Sequence, residues 1–402
     1  MEKKKDISHF DLLDWNFTRE DSRLYLHNFC WYPSRFIPII PAHLIQALSK
    51  TNETVLDPFC GIGTTLVEAL KQRRNAIGVD LNPIACFVSK TKGKILTGHK
   101  VNLSLIEGLL ENLAPLSGDD LFTKKRTGRG HYNLREKSIP NYAVNVEWFH
   151  PETLKMLSHI YYSVEDLPRG LTRDICKIFF ISILMQSSGH DLNKPYTYYA
   201  DNVKPKKEKL IKDAYKLYVQ KLDKFLCEYK LIELPEKNRL DFAVYNEDAR
   251  GLEGLVDKKV DLIVTSPPYL NVTDYTTGFR LAHLWYSFQK DMRIEDIKRR
   301  EIGARYRRKS RNSLNEYVGD MQSVLCKMDS VLKTNGYLCL ILGESQKYSK
   351  IVNKIIMDFM SNELRLEYID SFSREIIKKF FIHPNGGGVS TEEIIIYRKK
   401  RK

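Results

Sequence analysis

Val260-Asp261-Leu262-Ile263-Val264-Thr265-Ser266-Pro267-Pro268-Tyr269 sets the frame for the rest of the chain. Its first five residues form an apolar run with β-branched side chains, the pattern of a strand buried on both faces of a parallel sheet. Two prolines then remove backbone donors and fix φ, so the strand stops there. A serine hydroxyl, two proline carbonyls and an aromatic ring are left at the carboxyl end of a strand, where open α/β sheets bind their ligands. The Ser266 hydroxyl and the Pro267 carbonyl can accept hydrogen bonds from an exocyclic NH2, turning its lone pair out of conjugation. Tyr269 can stack on a flat ring. The proline pair holds these groups still, which lowers the reorganisation a reaction would demand.

Upstream, Thr54-Val55-Leu56-Asp57-Pro58-Phe59-Cys60-Gly61-Ile62-Gly63-Thr64-Thr65 reads as a short strand, a glycine turn and the start of a helix. The glycines let a ligand approach the backbone closely, and the helix start offers free N–H groups. A nicotinamide dinucleotide fingerprint would need a third glycine where Leu66 stands, and would seat a pyrophosphate on that helix. A second strand, Ala76-Ile77-Gly78-Val79-Asp80, ends in an acid placed to bond ribose hydroxyls; Asp80 could equally serve as a helix cap. Phe242-Ala243-Val244-Tyr245 forms a third strand, followed by the acid Asp248. Tyr337 to Gly343, Tyr368 to Phe372 and Glu392 to Tyr397 read as strands five to seven.

This order of a glycine turn, acids after strands two and three, and Thr265-Ser266-Pro267-Pro268-Tyr269 after strand four resembles the S-adenosyl-L-methionine (AdoMet)-dependent DNA amino-methyltransferases. The resemblance covers roughly residues 25–98 and 240–398. It implies an α/β fold: a Rossmann-like, seven-stranded class I methyltransferase sheet. It implies AdoMet as cofactor, with Tyr32 and Phe36 covering its methionine end, Asp57 holding the methionine amino group and Phe59 packing against it. Gly61, Gly63, Thr64 and Thr265 complete that expected site, with Asp80 on the ribose and Asp248 on the adenine amino group. Ser266, Pro267, Pro268 and Tyr269 are the expected catalytic residues, acting on a base flipped out of the duplex. A serine in this motif is more typical of N4-cytosine enzymes. The motif order departs from the permuted arrangement common among them, so N6-adenine stays open. C5 methylation would need a cysteine nucleophile, typically after proline, and the chain has no Pro-Cys pair.

Residues 99–238 interrupt the alternation of strands and helices. The expected division is 1–98 with the cofactor motifs, 99–238 as a mainly helical insertion and candidate target-recognition region, and 239–402 with the catalytic motif. Helices are expected over Leu103–Leu113, Glu152–Val164, Ile175–Met185 and Lys209–Tyr229 in the insertion, and over Leu281–Phe288 and Leu314–Leu332 after the catalytic strand. The basic run 298–311 lies near the base pocket, and Arg305, Arg307, Arg308 and Lys309 are expected to grip phosphates. Lys+Arg 64 against Asp+Glu 50 gives +14, which suits a polyanion such as double-stranded DNA. The seven cysteines show no metal-ligand spacing, so reduced thiols, a cytoplasmic location and no metal are expected. No signal peptide is expected behind Met1 to Asp6. The longest apolar block, Ile178 to Met185, is too short to span a bilayer, so no membrane partner is expected. The family adds a cognate restriction endonuclease as an expected partner. Two other classes remain open: an RNA base methyltransferase, and a non-catalytic nucleic-acid-binding subunit.

Overall fold

A computed structural model describes residues 7–17, 25–32, 37–117, 139–189, 205, 208–232, 240–257, 259–286, 294–304, 312–345, 349–376 and 389–401. Seven strands form one sheet: β1 (Thr54–Asp57), β2 (Asn75–Asp80), β3 (Phe242–Asn246), β4 (Val260–Thr265), β5 (Leu332–Ser345), β6 (Leu366–Glu375) and β7 (Val389–Lys399). Their order is β3-β2-β1-β4-β5-β7-β6. The first five are parallel, and β7 runs antiparallel between β5 and β6. The order in which the chain adds strands therefore reverses at β1, with β2 on one side and β4 on the other, and ligands of such sheets sit at that switch point. This is the seven-stranded α/β sheet that the motif order implies.

The apolar continuity of β4 follows from its place. Leu262 and Val264 face one core with Val55, Cys339 and Ile341. Ile263 faces the other with Leu56, Leu338 and Leu340. Both faces are covered, so no polar alternation is required. On the first face lie α1 (Ile39–Leu48), α2 (Thr64–Lys71) and α3 (Pro83–Leu96). The helices between β2 and β3 extend that same core: α4 (Leu103–Leu113), α5 (Tyr142–Trp148), α6 (Pro151–Glu165), α7 (Leu171–Ser187) and α8 (Ala214–Tyr229). Three short helices follow β4, namely α9 (Tyr275–Gly278), α10 (Arg280–Trp285) and α11 (Ile294–Arg300). The second face is covered by α12 (Ser313–Val331) and α13 (Ser349–Asn362).

Element ends depart from the sequence expectation for local reasons. The helix expected from Lys209 begins at Ala214, because Asp213 caps it by accepting from the Lys216 amide at 2.9 Å. The residues before it are pinned to α6 instead, with Thr153 bonding both the amide and the carbonyl of Lys212. Thr334-Asn335-Gly336, residues of a turn-forming type, make a bulge inside β5: pairing jumps from Val260↔Leu332 to Leu262↔Tyr337, and Asn335 takes a φ of 66°. Helices α3, α5, α9, α11 and α13 went unassigned in the sequence. The signal for α3 is present as Asn82-Pro83, a capping residue followed by proline at the first helical position. The first three residues of the basic run, 298–300, belong to helix α11.

Candidate active site

Ser266 leaves β4 with its hydroxyl 3.0 Å from that of Tyr269, and Tyr269 donates to Glu392 on β7 at 3.0 Å. Since the tyrosine proton goes to Glu392, the serine proton goes to the tyrosine oxygen. The lone pairs of Ser266 are then free to accept and cannot be the donor side of a substrate contact. Burial holds the Glu392 carboxyl above its ordinary range, while Arg374, 3.6 Å away, and the Tyr269 hydroxyl draw it down. Tyr269 is 8% exposed, and its ring packs so closely on Gly343 that a Cβ there would come within 2.4 Å of it. It therefore bridges Ser266 and Glu392. The Pro268 carbonyl is engaged by the Tyr317 hydroxyl at 2.9 Å.

The glycine turn is fixed from three sides. Asp57, at the end of β1, accepts from Thr265 Oγ1 at 2.6 Å, Thr65 Oγ1 at 2.7 Å and the Phe59 amide at 3.0 Å. One carboxylate thus ties β1, α2 and β4 together. It is 1% exposed, and burial pushes it up to about 6 against the pull of those three donors. From α3, Ser89 donates to the Gly61 carbonyl and the fully buried Lys92 to the Ile62 carbonyl, both at 2.9 Å. Gly61 and Gly63 adopt φ of 50° and 83°, conformations that disfavour a side chain. Gly63 is also the residue preceding α2.

Asp80 accepts the Gly61 amide on one oxygen and the Asn82 amide on the other, each at 2.8 Å. The capping of α3 is done by Asn82, which accepts from Ile84 and Ala85. The Asp80 carboxylate, freed of that duty, faces an open cleft whose empty space, part of it continuous with solvent, is about 850 Å³. Tyr32, Phe59, Gly61 and Thr64 line the same cleft, as do Asp248, Ser266 and Pro268. Asp57, Gly63, Thr265, Pro267 and Tyr269 stand outside its lining. Phe36, Arg305, Arg307, Arg308 and Lys309 lie outside the described residues.

Asp248 is forked by Arg250, with contacts of 2.9 and 2.6 Å, and Arg300 approaches it to 3.6 Å. Burial works to raise its pKa, but bonding to Arg250 and the charge of Arg300 prevail and hold it below the usual carboxylate range. Cleft residues that sequence reading passed over include Tyr275, Thr276, Glu301 and Ile302. Tyr275 stacks on Tyr32 with centroids 6.0 Å apart. Glu301 was hidden inside the basic run as its one acid.

Burial pushes Asp80 up to about 6 and Glu301 up to about 7. Among the described residues neither has a cation within ion-pair distance. A cleft walled by aromatic rings and by the carboxylates of Asp80 and Glu301 suits a ribose-bearing organic cation. AdoMet is such a cation.

Fold and cleft together define a class I AdoMet-dependent methyltransferase. Residues 3–90 and 260–402 match the DNA methylase family model for N6 and N4 enzymes, and the chain belongs to that family. Its methyl donor is AdoMet and its chemistry is amino methylation of DNA. The chain is 22% identical over 423 residues to Type II methyltransferase M.MjaII of Methanocaldococcus jannaschii, covering 85% of this chain and 77% of that protein. It is 23% identical over 316 residues to M.BsoBI of Geobacillus stearothermophilus, covering 73% of this chain and 58% of the relative. It is also 23% identical over 302 residues to M.MvaI of Kocuria varians, covering 70% and 61%. Among solved structures, TrmN from Thermus thermophilus superimposes with a TM-score of 0.36 at 10% identity, covering 94% of this chain and 53% of that one. The fold assignment rests on the sheet itself. No helix of the described residues is long and apolar enough to cross a membrane, and they hold no metal-ligating cluster.

Proposed function

We propose that this protein is a site-specific methyltransferase of double-stranded DNA that modifies N4 of a flipped cytosine. The observation carrying this reading is the directed chain from Ser266 through Tyr269 to Glu392, which leaves Ser266 as a pure acceptor beside the cleft. An exocyclic NH2 is a double donor, so Ser266 Oγ and the Pro267 carbonyl can take its two protons and hold its lone pair aimed into the cleft. Bound AdoMet supplies the electrophilic methyl carbon. Tyr269 and Glu392 keep the serine hydroxyl turned away from the amine and hold its oxygen still. Tyr32, Phe59, Gly61 and Thr64 cover the methionine end, Asp80 takes the ribose and Asp248 the adenine edge. Asp57 and Thr265 are positioning residues that fix the glycine turn against the catalytic strand.

Phosphate contacts are assigned to Arg305, Arg307, Arg308 and Lys309, which follow the cleft residues 300–302 directly in the chain, and target reading to the insertion 99–238. The relatives named above are Type II methyltransferases. By analogy this chain would work in the cytoplasm as the modification half of a restriction pair, alongside a cognate endonuclease. The motif order, cofactor turn before catalytic strand, favours a second reading in which N6 of adenine is the target.

Ser266→Ala should leave AdoMet binding within about twofold and lower turnover by roughly 10²-fold, the cost of losing one preorganised polar contact. Unchanged turnover would remove Ser266 from the chemistry. Base-resolution sequencing of DNA from cells expressing the chain reads base, position and motif together: N4-methylcytosine supports the first reading, N6-methyladenine the second. Absence of any modified base would sink both.

A further inference from the structure

Glu301 is 6% exposed and lines the cleft. Its Oε1 accepts the Thr276 amide at 2.5 Å, whereas its Oε2 is buried with no hydrogen-bond partner among the described residues. A buried acceptor left unsatisfied costs of the order of 1–3 kcal/mol, and more if charged, so it implies a donor that arrives with a ligand. Which part of the ligand it meets follows from what the other carboxylates already do. Asp80 stands at the tip of β2, where the ribose belongs. Asp248 is forked by Arg250 near the end of β3. Asp57 has both oxygens occupied by Thr65, Thr265 and Phe59 and does not line the cleft. The methionine end is left without a carboxylate.

Glu301 supplies one from the side of the aromatic pair Tyr32 and Tyr275, since its backbone partner Thr276 follows Tyr275 directly. A sulfonium has no N–H to offer, and a carboxylate held against it would compete for the methyl group. An ammonium offers three donors and no such risk.

We infer that Glu301 is the carboxylate that receives the α-ammonium group of the AdoMet methionine end. This rests on the cleft being the AdoMet site. Burial and Asp274 push Glu301 up to about 7, against the pull of Thr276 on α9 and Lys298 on α11. Below that value the side chain is largely neutral before the ligand arrives. Forming the ion pair then releases its proton to solvent: the carboxylic acid loses H⁺ and the ammonium keeps all three of its own.

The test is calorimetric titration near pH 6.5, where the ligand's amine is protonated (about 7.7–8.0 for an α-amino group). The ligands are S-adenosylhomocysteine, which has the ammonium and no sulfonium, and 5′-methylthioadenosine, which lacks the amino-acid end. Each is run in buffers of different ionisation enthalpy. For the intact chain we expect proton release with S-adenosylhomocysteine and none with methylthioadenosine. Glu301→Gln should abolish that release, weaken S-adenosylhomocysteine about 10- to 100-fold, and leave methylthioadenosine within about twofold. Retained methylthioadenosine binding also reports that the variant is folded. Equal losses for both ligands would make Glu301 a structural residue and overturn the inference. So would unchanged binding of both, including a case where only the Michaelis constant for DNA rises, which would place Glu301 on the base. Failure of the intact chain to bind either nucleoside would overturn the cofactor site, and this assignment with it.

Discussion

Glu392 decides which way Ser266 points, although it lies 123 residues after the tyrosine that links them. While its carboxylate is ionised, the phenol proton must go to it and the serine proton must follow. When it is protonated, that direction is lost and Ser266 can turn its hydrogen toward the substrate amine. The Glu392 carboxyl titrates above the ordinary glutamate value of 4.5 because it is buried. With Ser266 in its proposed role, activity should be full above that raised value and fall as pH drops through it. A kcat profile should show an acid limb at higher pH than a free glutamate would give. Glu392→Gln should lower kcat about 10- to 100-fold, abolish the limb and leave the AdoMet dissociation constant unchanged. A limb that survives in this variant would belong to another group. Asp80 teaches a related lesson: its availability depends on Asn82 two residues later, which takes over the capping of α3.

At the scale of the element, the strands and the glycine turn were legible because each is a local signal. The β4 run, its proline stop, the turn after β1 and the acid ending β2 can be read within a dozen residues. The helix ends drifted where one distant contact outvoted periodicity, as at Thr153 and Lys212. Glu301 and Glu392 were not legible as site residues, because what makes them so is burial beside elements remote in the chain. Gly343 is another such case. It reads as an ordinary strand glycine, yet Tyr269 occupies the space its side chain would fill. Gly343→Ala should displace that ring, cost about 1–3 kcal/mol in unfolding free energy as overpacking does, and lower turnover by more than it lowers AdoMet affinity. Denaturant melts and cofactor titrations on one preparation check both parts. A stable variant with normal turnover would show that the ring can shift without moving Ser266.

For the whole molecule, the excess of 64 basic over 50 acidic residues is a statement about its partner. A chain neutralising about four phosphates should show log K against log salt falling with a slope near −3.6, at roughly −0.9 per contact. A slope near zero in duplex-binding isotherms would deny electrostatic docking on DNA. Architecture adds a second point. The segment between β2 and β3 is long, but the strands it joins are parallel neighbours, paired from Ala76↔Phe242 to Asp80↔Asn246. Its two ends are clamped where Gly93 of α3 lies under the ring of Phe242, with no room for a side chain between them. Between those fastenings the sheet demands only that the polypeptide come back one strand spacing away, about 4.8 Å, and doubling such a connection costs only about 0.6 kcal/mol. Lineages can thus lengthen, shorten or exchange this excursion while the sheet beneath it keeps its register; under the proposal that this segment reads the target, new genomic addresses can arise without reinventing the reaction.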